Sequence, residues 1–170
     1  MQLNKNIVLL GMMGSGKSTI GYLLSKKLDL KFKDVDKIIE KETEHKISWI
    51  FESKGENYFR KLEEKVTLQL LKSQNKIIAL GGGSFMNENI RNQILKNHLS
   101  FWLNWKNSTL INRITKSKKR PIAFNSSINE IKKMIIDRSK MYSMANFKVN
   151  CENLSKNEIV NKIKDIYEKN

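Results

Sequence analysis

Residues Gly11 to Ser18 carry the clearest chemical signal in the chain. They read Gly-Met-Met-Gly-Ser-Gly-Lys-Ser and match the phosphate-binding pattern G-x-x-x-x-G-K-[ST]. Glycines let backbone N–H groups wrap phosphates, and the following helix adds a favourable dipole. Lys17 is expected to reach the β- and γ-phosphates and Ser18 to coordinate Mg²⁺. With a buried strand before it and an amphipathic helix after it, the pattern predicts nucleotide binding rather than a structural glycine turn.

Two further groups follow apolar strands, beyond whose carboxyl ends ligands bind in parallel sheets. Asp34 and Asp36 flank a single residue. Carboxylates near a phosphate site can hold Mg²⁺, or orient and deprotonate an attacking hydroxyl. A solvated turn is the alternative interpretation of this pair. The triplet Gly81, Gly82 and Gly83 indicates close backbone approach or positive φ, and it is expected to let a second substrate press against the γ-phosphate.

Arginine is scarce in this chain and therefore informative. Only five of the 32 basic Lys and Arg residues are arginine, which binds carboxylate and phosphate through a planar fork that lysine lacks. Arg60 has Glu63 one helical turn on, able to orient its guanidinium. Arg120 lies in a polar stretch that is expected to form a water-excluding lid, where it can neutralise charge on a transferring phosphoryl group. The five are Arg60, Arg91, Arg113, Arg120 and Arg138.

These residues are positioned by short apolar strands that alternate with helix-type patterns. Such alternation predicts an α/β domain with a five-stranded, mainly parallel sheet flanked by helices. We expect a single domain over residues 1–170, because no repeat or linker interrupts it. The predicted strands are 7–10, 32–35, 77–80, 99–103 and 147–149. The predicted helices are 17–28, 38–43, 49–54, 59–71, 87–96, 108–115, 128–142 and 155–168.

Composition limits the class of protein further. With 170 residues and 39% hydrophobic content, the chain can bury the core of one domain. A single cysteine rules out an internal disulfide framework and a four-thiolate metal site. No apolar run approaches the roughly 20 residues that span a bilayer, so a cytoplasmic protein is expected. The formal net charge of +15 suggests binding to nucleic acid. Because the lysines are spread along the chain, a diffusely solvated basic surface is the favoured interpretation.

Taken in order, these motifs closely resemble those of the shikimate kinases, a family of the nucleoside-monophosphate-kinase-like superfamily. The resemblance covers roughly residues 7 to 142 and includes the phosphate loop, both aspartates, the glycine triplet and four of the five arginines. It implies a P-loop kinase architecture, with a substrate-binding insertion at about 36–63 and a lid at about 114–127. The remaining matches are 47–51, Gly55, Glu56, Phe59, Glu63, Pro121 and Tyr142.

The resemblance implies an acid-binding half of the site. Asp36 matches the carboxylate that binds the shikimate hydroxyls and activates or positions the attacking one. Arg60 and Arg138 match the pair that grips the shikimate carboxylate. Apolar walls of the pocket correspond to Ile47, Phe51 and Phe59. The implied substrate-binding residues are Asp36, Arg60, Gly81, Gly82, Gly83 and Arg138.

The resemblance also implies a nucleotide half. Asp34 resembles the partner that holds the hydration shell of one Mg²⁺ ion, together with Ser18. Arg120 matches a lid arginine on the ATP phosphates, Arg113 resembles a residue near adenine, and 149–153 corresponds to the adenine loop. The implied catalytic residues are Lys17, Asp36 and Arg120. The implied ATP-binding residues are Gly14, Ser15, Gly16, Lys17, Ser18, Thr19, Arg113 and Arg120.

The implied reaction is Mg²⁺-dependent transfer of the ATP γ-phosphoryl group to the 3-hydroxyl of shikimate, a step of chorismate and aromatic amino acid biosynthesis. A monomer that binds neither nucleic acid nor membrane is expected. A gluconate kinase of the same architecture is the nearest rival, disfavoured by Arg60, Arg138 and the glycine triplet. An ATP-dependent nucleic-acid-binding module would explain the charge, but 8% aromatic content offers little stacking surface.

The other prominent residues receive structural interpretations. Three tryptophans are assigned to the core or the pocket wall, two histidines to the surface, and the one cysteine is expected to be an unactivated thiol. These residues are Trp49, Trp102, Trp105, His45, His98 and Cys151.

Overall fold

Five parallel strands form one sheet, as predicted. In this computed structural model, which describes residues 5–116 and 126–170, they are β1 Ile7–Leu10, β2 Lys31–Asp34, β3 Lys76–Ala79, β4 Leu99–Asn104 and β5 Phe147–Asn150. Their order across the sheet is β2-β3-β1-β4-β5, and every pairing is parallel. The central strand β1 is buried on both faces, which explains its uninterrupted apolar sequence.

Helices cover both faces of the sheet. They are α1 Lys17–Leu28, α2 Val35–Thr43, α3 Ile47–Lys54, α4 Glu56–Leu71, α5 Glu88–Asn97, α6 Asn107–Thr115, α7 Ile128–Tyr142 and α8 Lys156–Glu168. Ile7 and Leu9 of β1 pack in the core shared with α1 and α8, whereas Val8 and Leu10 pack in the core shared with α2 to α7. In residues 5–116 and 126–170, no helix is both long and apolar enough to traverse a bilayer.

The order of the elements is confirmed, but several bounds differ from the prediction. Residue Val35 was predicted to end a strand and instead begins α2, because Asp34 caps that helix by accepting the Lys37 N–H at 3.2 Å. A short 3₁₀ helix, Ser84–Met86, follows the glycine triplet and was not predicted. Most of the predicted lid lies outside the described residues.

Buried polar groups join the amino ends of the central strands. Asn6 is fully buried; its side chain donates to Ser73 O at 2.7 Å and accepts the Lys76 N–H at 3.0 Å. The Asn6 N–H donates to His98 Nδ1 at 3.4 Å. His98 is only 6% exposed, so the prediction that it lies at the surface is wrong. Burial lowers the pKa of His98 below its usual 6.5, and the nearby charge of Lys5 adds to this effect.

Acid should destabilise the protein through His98. An unfolded histidine takes up its proton near pH 6.5, whereas folded His98 resists protonation until the pH is lower. The free energy of unfolding from urea titrations should therefore fall as the pH drops below about 6.5. His98→Gln should flatten this fall, and His45→Gln, at an exposed position, should leave it in place. Identical pH profiles for the two variants would contradict this assignment.

Candidate active site

The phosphate loop connects β1 to α1 in a conformation that its glycines permit. The φ angle is +143° at Gly11, +80° at Gly14 and +89° at Gly16, values that strain other residues. Lys17 Nζ donates to Gly11 O at 2.8 Å and to Met12 O at 3.1 Å, so its ammonium group lies over the loop. Gly16 is the N-cap of α1 and has no side chain to accept a hydrogen bond from the first N–H groups of the helix. Those N–H groups are therefore available to an anion.

Ser18 and Asp34 bring two oxygen atoms together beside this loop. Ser18 Oγ donates to Asp34 Oδ2 at 2.5 Å, and both residues line the adjoining cavity. Mg²⁺ prefers oxygen ligands and keeps several waters, so a hydroxyl, a carboxylate and substrate phosphates fit it. Among the described residues there is no group of three or more His, Cys, Asp or Glu that could hold a metal ion.

A cavity of about 410 Å³ lies at the carboxyl ends of β1, β2 and β3. Its apolar wall contains the three predicted residues, Ile47, Phe51 and Phe59, and the last two rings are 4.7 Å apart. The same cavity is lined by most of the predicted site residues. Those that line it are Gly14, Gly16, Lys17, Ser18, Thr19, Asp34, Asp36, Arg60, Gly82, Gly83 and Arg138.

Two carboxylates of α4 hold Arg60 in one orientation. Arg60 Nη1 donates to Glu63 Oε2 at 2.7 Å, and Nη2 donates to Glu56 Oε1 at 2.9 Å. Glu63 is 2% exposed, and its other oxygen accepts the Ser84 hydroxyl at 2.6 Å. Burial works to lower the pKa of Arg60, but the two carboxylates outweigh it and raise the pKa overall. The guanidinium is therefore charged and fixed at the edge of the cavity.

The glycine triplet leaves room for these charged groups. A Cβ at Gly83 would lie 2.5 Å from Arg60 Nη1. A Cβ at Gly81 would overlap the Glu63 carboxylate and lie 2.9 Å from Asp36 Oδ1. Gly83 lines the cavity, whereas Gly81 is buried against the two carboxylates. A larger residue at either position would displace the groups that the cavity presents.

Arg138 reaches the same cavity from α7. Its Nη1 lies 4.0 Å from Met12 Sδ in the phosphate loop. One turn further along α7, the buried Tyr142 donates its hydroxyl to Gly82 O. Burial raises the pKa of Tyr142 to about 12, against the opposing effect of Arg138, so the phenol stays protonated and remains a donor. One helix thus places both a guanidinium and the Gly82 peptide at the cavity.

Trp105 and Arg113 contact the phosphate loop through its carbonyl groups. The Trp105 indole N–H donates to Ser15 O at 2.9 Å, and Arg113 Nη1 donates to Gly14 O at 3.2 Å. The Arg113 guanidinium lies 3.8 Å from the centre of the Trp105 ring. Trp105 is half-buried between the cores, in keeping with its structural interpretation, but its polar role was missed because no local pattern reveals it.

The remaining predicted residues fall elsewhere. Trp49 is 40% exposed, stacks on His45 and is not among the residues that line the cavity, so the prediction that it lies in the core or pocket wall is wrong. Trp102 is buried, as expected. Cys151 is fully buried, and burial raises the pKa of its thiol to about 12, in keeping with the expectation of an unactivated thiol. Arg120 lies outside the described residues, and its place at the site stays a prediction.

A parallel α/β sheet, a phosphate loop and a cavity with fixed guanidinium groups define a P-loop phosphotransferase that acts on a small acceptor. A family model described as shikimate kinase matches residues 13–168. The chain belongs to the shikimate kinase family and is an ATP-dependent kinase.

Known shikimate kinases are similar to this protein over nearly the whole chain. Curated shikimate kinases from Sulfurihydrogenibium sp. and Bacillus subtilis are 39% and 42% identical, each over 94% of this chain and over 95% and 87% of their own lengths. A solved structure of shikimate kinase from Acinetobacter baumannii in complex with shikimate is 26% identical, with a TM-score of 0.92, covering 99% of this chain and 95% of that one.

Glu56 and Glu63, the two carboxylates that bind Arg60, should contribute unequally to the free energy of unfolding because they differ in burial. Glu63→Gln removes the buried negative charge and should lower the free energy of unfolding by about 1–3 kcal/mol. Glu56→Gln, at a side chain 60% exposed, should cost less than about 1 kcal/mol. Urea unfolding of both variants measures the difference, and equal costs would contradict the buried role of Glu63.

Proposed function

We propose that the protein catalyses Mg²⁺-dependent transfer of the γ-phosphoryl group of ATP to the 3-hydroxyl of shikimate, giving shikimate 3-phosphate and ADP. The observation that carries this proposal is one cavity lined by Lys17 together with Asp36, Arg60 and Arg138. The Lys17 ammonium group suits a phosphate. The Asp36 carboxylate and the two guanidinium groups suit a ring acid that carries hydroxyls. The reaction is a step of chorismate and aromatic amino acid biosynthesis.

The carboxylate of the acceptor is assigned to Arg60 and Arg138. Arginine forks bind a carboxylate through paired hydrogen bonds of fixed geometry. Because Glu56 and Glu63 already orient Arg60, little side-chain freedom is lost when the acid binds. The apolar wall formed by Phe51 and Phe59 suits the hydrocarbon face of the ring.

The attacking hydroxyl is assigned to Asp36. Its carboxylate lies near Gly81, beside Glu63, and it lines the cavity that the phosphate loop also lines. A carboxylate there accepts the hydroxyl hydrogen bond and aims the oxygen at the γ-phosphorus. In phosphoryl transfer, such positioning together with charge neutralisation supplies most of the catalysis.

The phosphates of ATP are assigned to the loop N–H groups and to Lys17, with Thr19 at the cavity rim. Ser18 and Asp34 would hold one Mg²⁺ ion, Asp34 through water, and the bound ion would offset phosphate charge. Arg113 is proposed to contact the nucleotide beyond the loop, and Arg120 to close over its phosphates with the lid at about 114–127.

The proposed partners are shikimate and ATP alone, without nucleic acid or membrane. One chain supplies both the phosphate loop and the acid-binding arginines, which supports a monomeric enzyme. The enzyme is proposed to act in the cytoplasm. The gluconate kinase alternative is decided by coupled ADP-release assays with shikimate and gluconate. Turnover with gluconate but not with shikimate would overturn the proposal.

Replacing the fork at position 60 should damage acid binding selectively. Arg60→Lys substitutes a point charge for a bidentate donor, so the shikimate KM should rise by about tenfold or more while the ATP KM changes little. Lys61→Arg, the reverse exchange at the exposed neighbouring position, serves as the control and should change neither constant. An unchanged shikimate KM in Arg60→Lys would remove Arg60 from the pocket.

Removing the loop ammonium should abolish turnover. Lys17→Ala deletes the cation that we assign to the β- and γ-phosphates, and kcat should fall by about 100-fold or more. Lys26→Ala, at an exposed position of the same helix, should retain the wild-type rate. Circular dichroism of both variants checks folding, and near-normal turnover by a folded Lys17→Ala protein would refute the role.

A further inference from the structure

Trp105 occupies the turn between β4 and α6, beside the phosphate loop. Its indole packs against apolar side chains of both cores. The indole N–H donates to Ser15 O at 2.9 Å, across 90 residues of sequence. The hydrogen bond therefore fastens the loop to a separate part of the fold.

Arg113 adds a second contact of the same kind. Its Nη1 donates to Gly14 O at 3.2 Å, and its guanidinium lies 3.8 Å from the Trp105 ring centre. A cation at that distance is attracted by the indole face, so each side chain helps to hold the other. Two consecutive loop carbonyls, those of Gly14 and Ser15, are thus bound by one stacked pair of side chains.

The geometry of the peptide bond transmits this contact to the cavity. In a trans peptide, the carbonyl of one residue and the N–H of the next point in opposite directions. The described residues contain no cis peptide bond. Because the Ser15 carbonyl points at Trp105, the Gly16 N–H points away from it, and Gly16 lines the cavity. The indole therefore sets the direction of a donor suited to a phosphate oxygen.

The loop needs such a constraint because glycines flank Ser15. Gly14 and Gly16 both take positive φ, and glycine reaches other conformations at little cost. A peptide plane between such residues can rotate unless its carbonyl is bound. Donors that are already oriented bind an anion more tightly than donors that must first be ordered.

The turn that carries Trp105 is itself anchored by Glu152, in the segment after β5. Glu152 accepts the Thr109 hydroxyl at 2.8 Å and the Lys106 N–H at 3.2 Å, so it satisfies the start of α6. These hydrogen bonds, the Thr109 one foremost, lower the pKa of Glu152. The carboxylate stays ionised at neutral pH and keeps the turn in place.

We propose that Trp105 is a positioning residue for the nucleotide triphosphate, whose indole N–H holds the Ser15 carbonyl so that the Gly16 N–H is preset toward the phosphates. The inference rests on the proposed function only in taking the triphosphate of ATP as the ligand of the loop. It concerns phosphate binding and makes no use of the acid-binding arginines.

Trp105→Phe tests this role because phenylalanine keeps an aromatic ring for packing and for Arg113 but has no donor. Trp102→Phe is the matched control, since Trp102 lies on β4, shortly before the turn that carries Trp105, and contacts Tyr142 and Lys148 instead of the loop. Calorimetry with inorganic tripolyphosphate measures phosphate binding without a base, and steady-state kinetics gives the two KM values. Stability is followed by thermal unfolding of both variants.

The loss of one neutral hydrogen bond should weaken tripolyphosphate binding by Trp105→Phe about 3- to 10-fold and raise the ATP KM to a similar extent. The shikimate KM should not change, and Trp102→Phe should bind tripolyphosphate like the wild type. If Trp105 had only a structural role, both variants would lose stability, but the tripolyphosphate affinity of Trp105→Phe would stay unchanged. That result would overturn the proposal. So would a parallel rise in the shikimate KM.

Arg113→Lys provides a second test if Trp105→Phe does not fold. Arg113 is exposed, so its replacement should be tolerated, and lysine keeps the charge while losing the planar stack. Tripolyphosphate binding should weaken about 2- to 3-fold; unchanged binding would contradict the paired arrangement. Wild-type protein that binds tripolyphosphate but does not phosphorylate shikimate would refute the proposed function and leave the role of Trp105 standing.

Discussion

The buried carboxylate of Glu63 is the interaction on which the acid-binding half of the site depends. It accepts hydrogen bonds from Arg60 and from Ser84, so it joins α4 to the turn that follows β3. Gly81 and Gly83 are required there because side chains would overlap this pair. A buried anion without such partners would be costly, and the pairing therefore fixes the geometry of the helix, the glycine turn and the guanidinium together.

The parallel sheet brings this half next to the phosphate loop. The glycine triplet of this half follows β3 and the phosphate loop follows β1. These two buried strands are neighbours in the sheet, so their carboxyl ends lie at the same edge. Lys17, Arg60 and Arg138 then surround one cavity of about 410 Å³. With Lys37 and Lys46, the cations that line the cavity outnumber its carboxylates, which are Asp34, Asp36, Glu40 and Glu63. This excess of positive charge favours two anionic ligands and offsets part of the repulsion between them. The fold thus explains why an acid and a triphosphate can meet here.

The sequence predicts those parts of the molecule whose chemistry requires fixed residue types at fixed spacing. The phosphate loop and the buried strand β1 belong to this class. Contacts between residues distant in the sequence could not be predicted, because tertiary packing alone determines them: Tyr142 reaches Gly82, and Trp105 reaches Ser15, with no local pattern to indicate either. Val35 was mispredicted because the capping side chain of Asp34 outweighed its β propensity.

Calorimetric titration of shikimate, with and without a non-hydrolysable ATP analogue, tests most directly whether the acid and the triphosphate share this cavity. We expect one shikimate site per chain in both titrations, with the analogue bound in the second. Absence of shikimate binding in both titrations would contradict it and leave a nucleotide-binding protein whose acceptor is a different molecule.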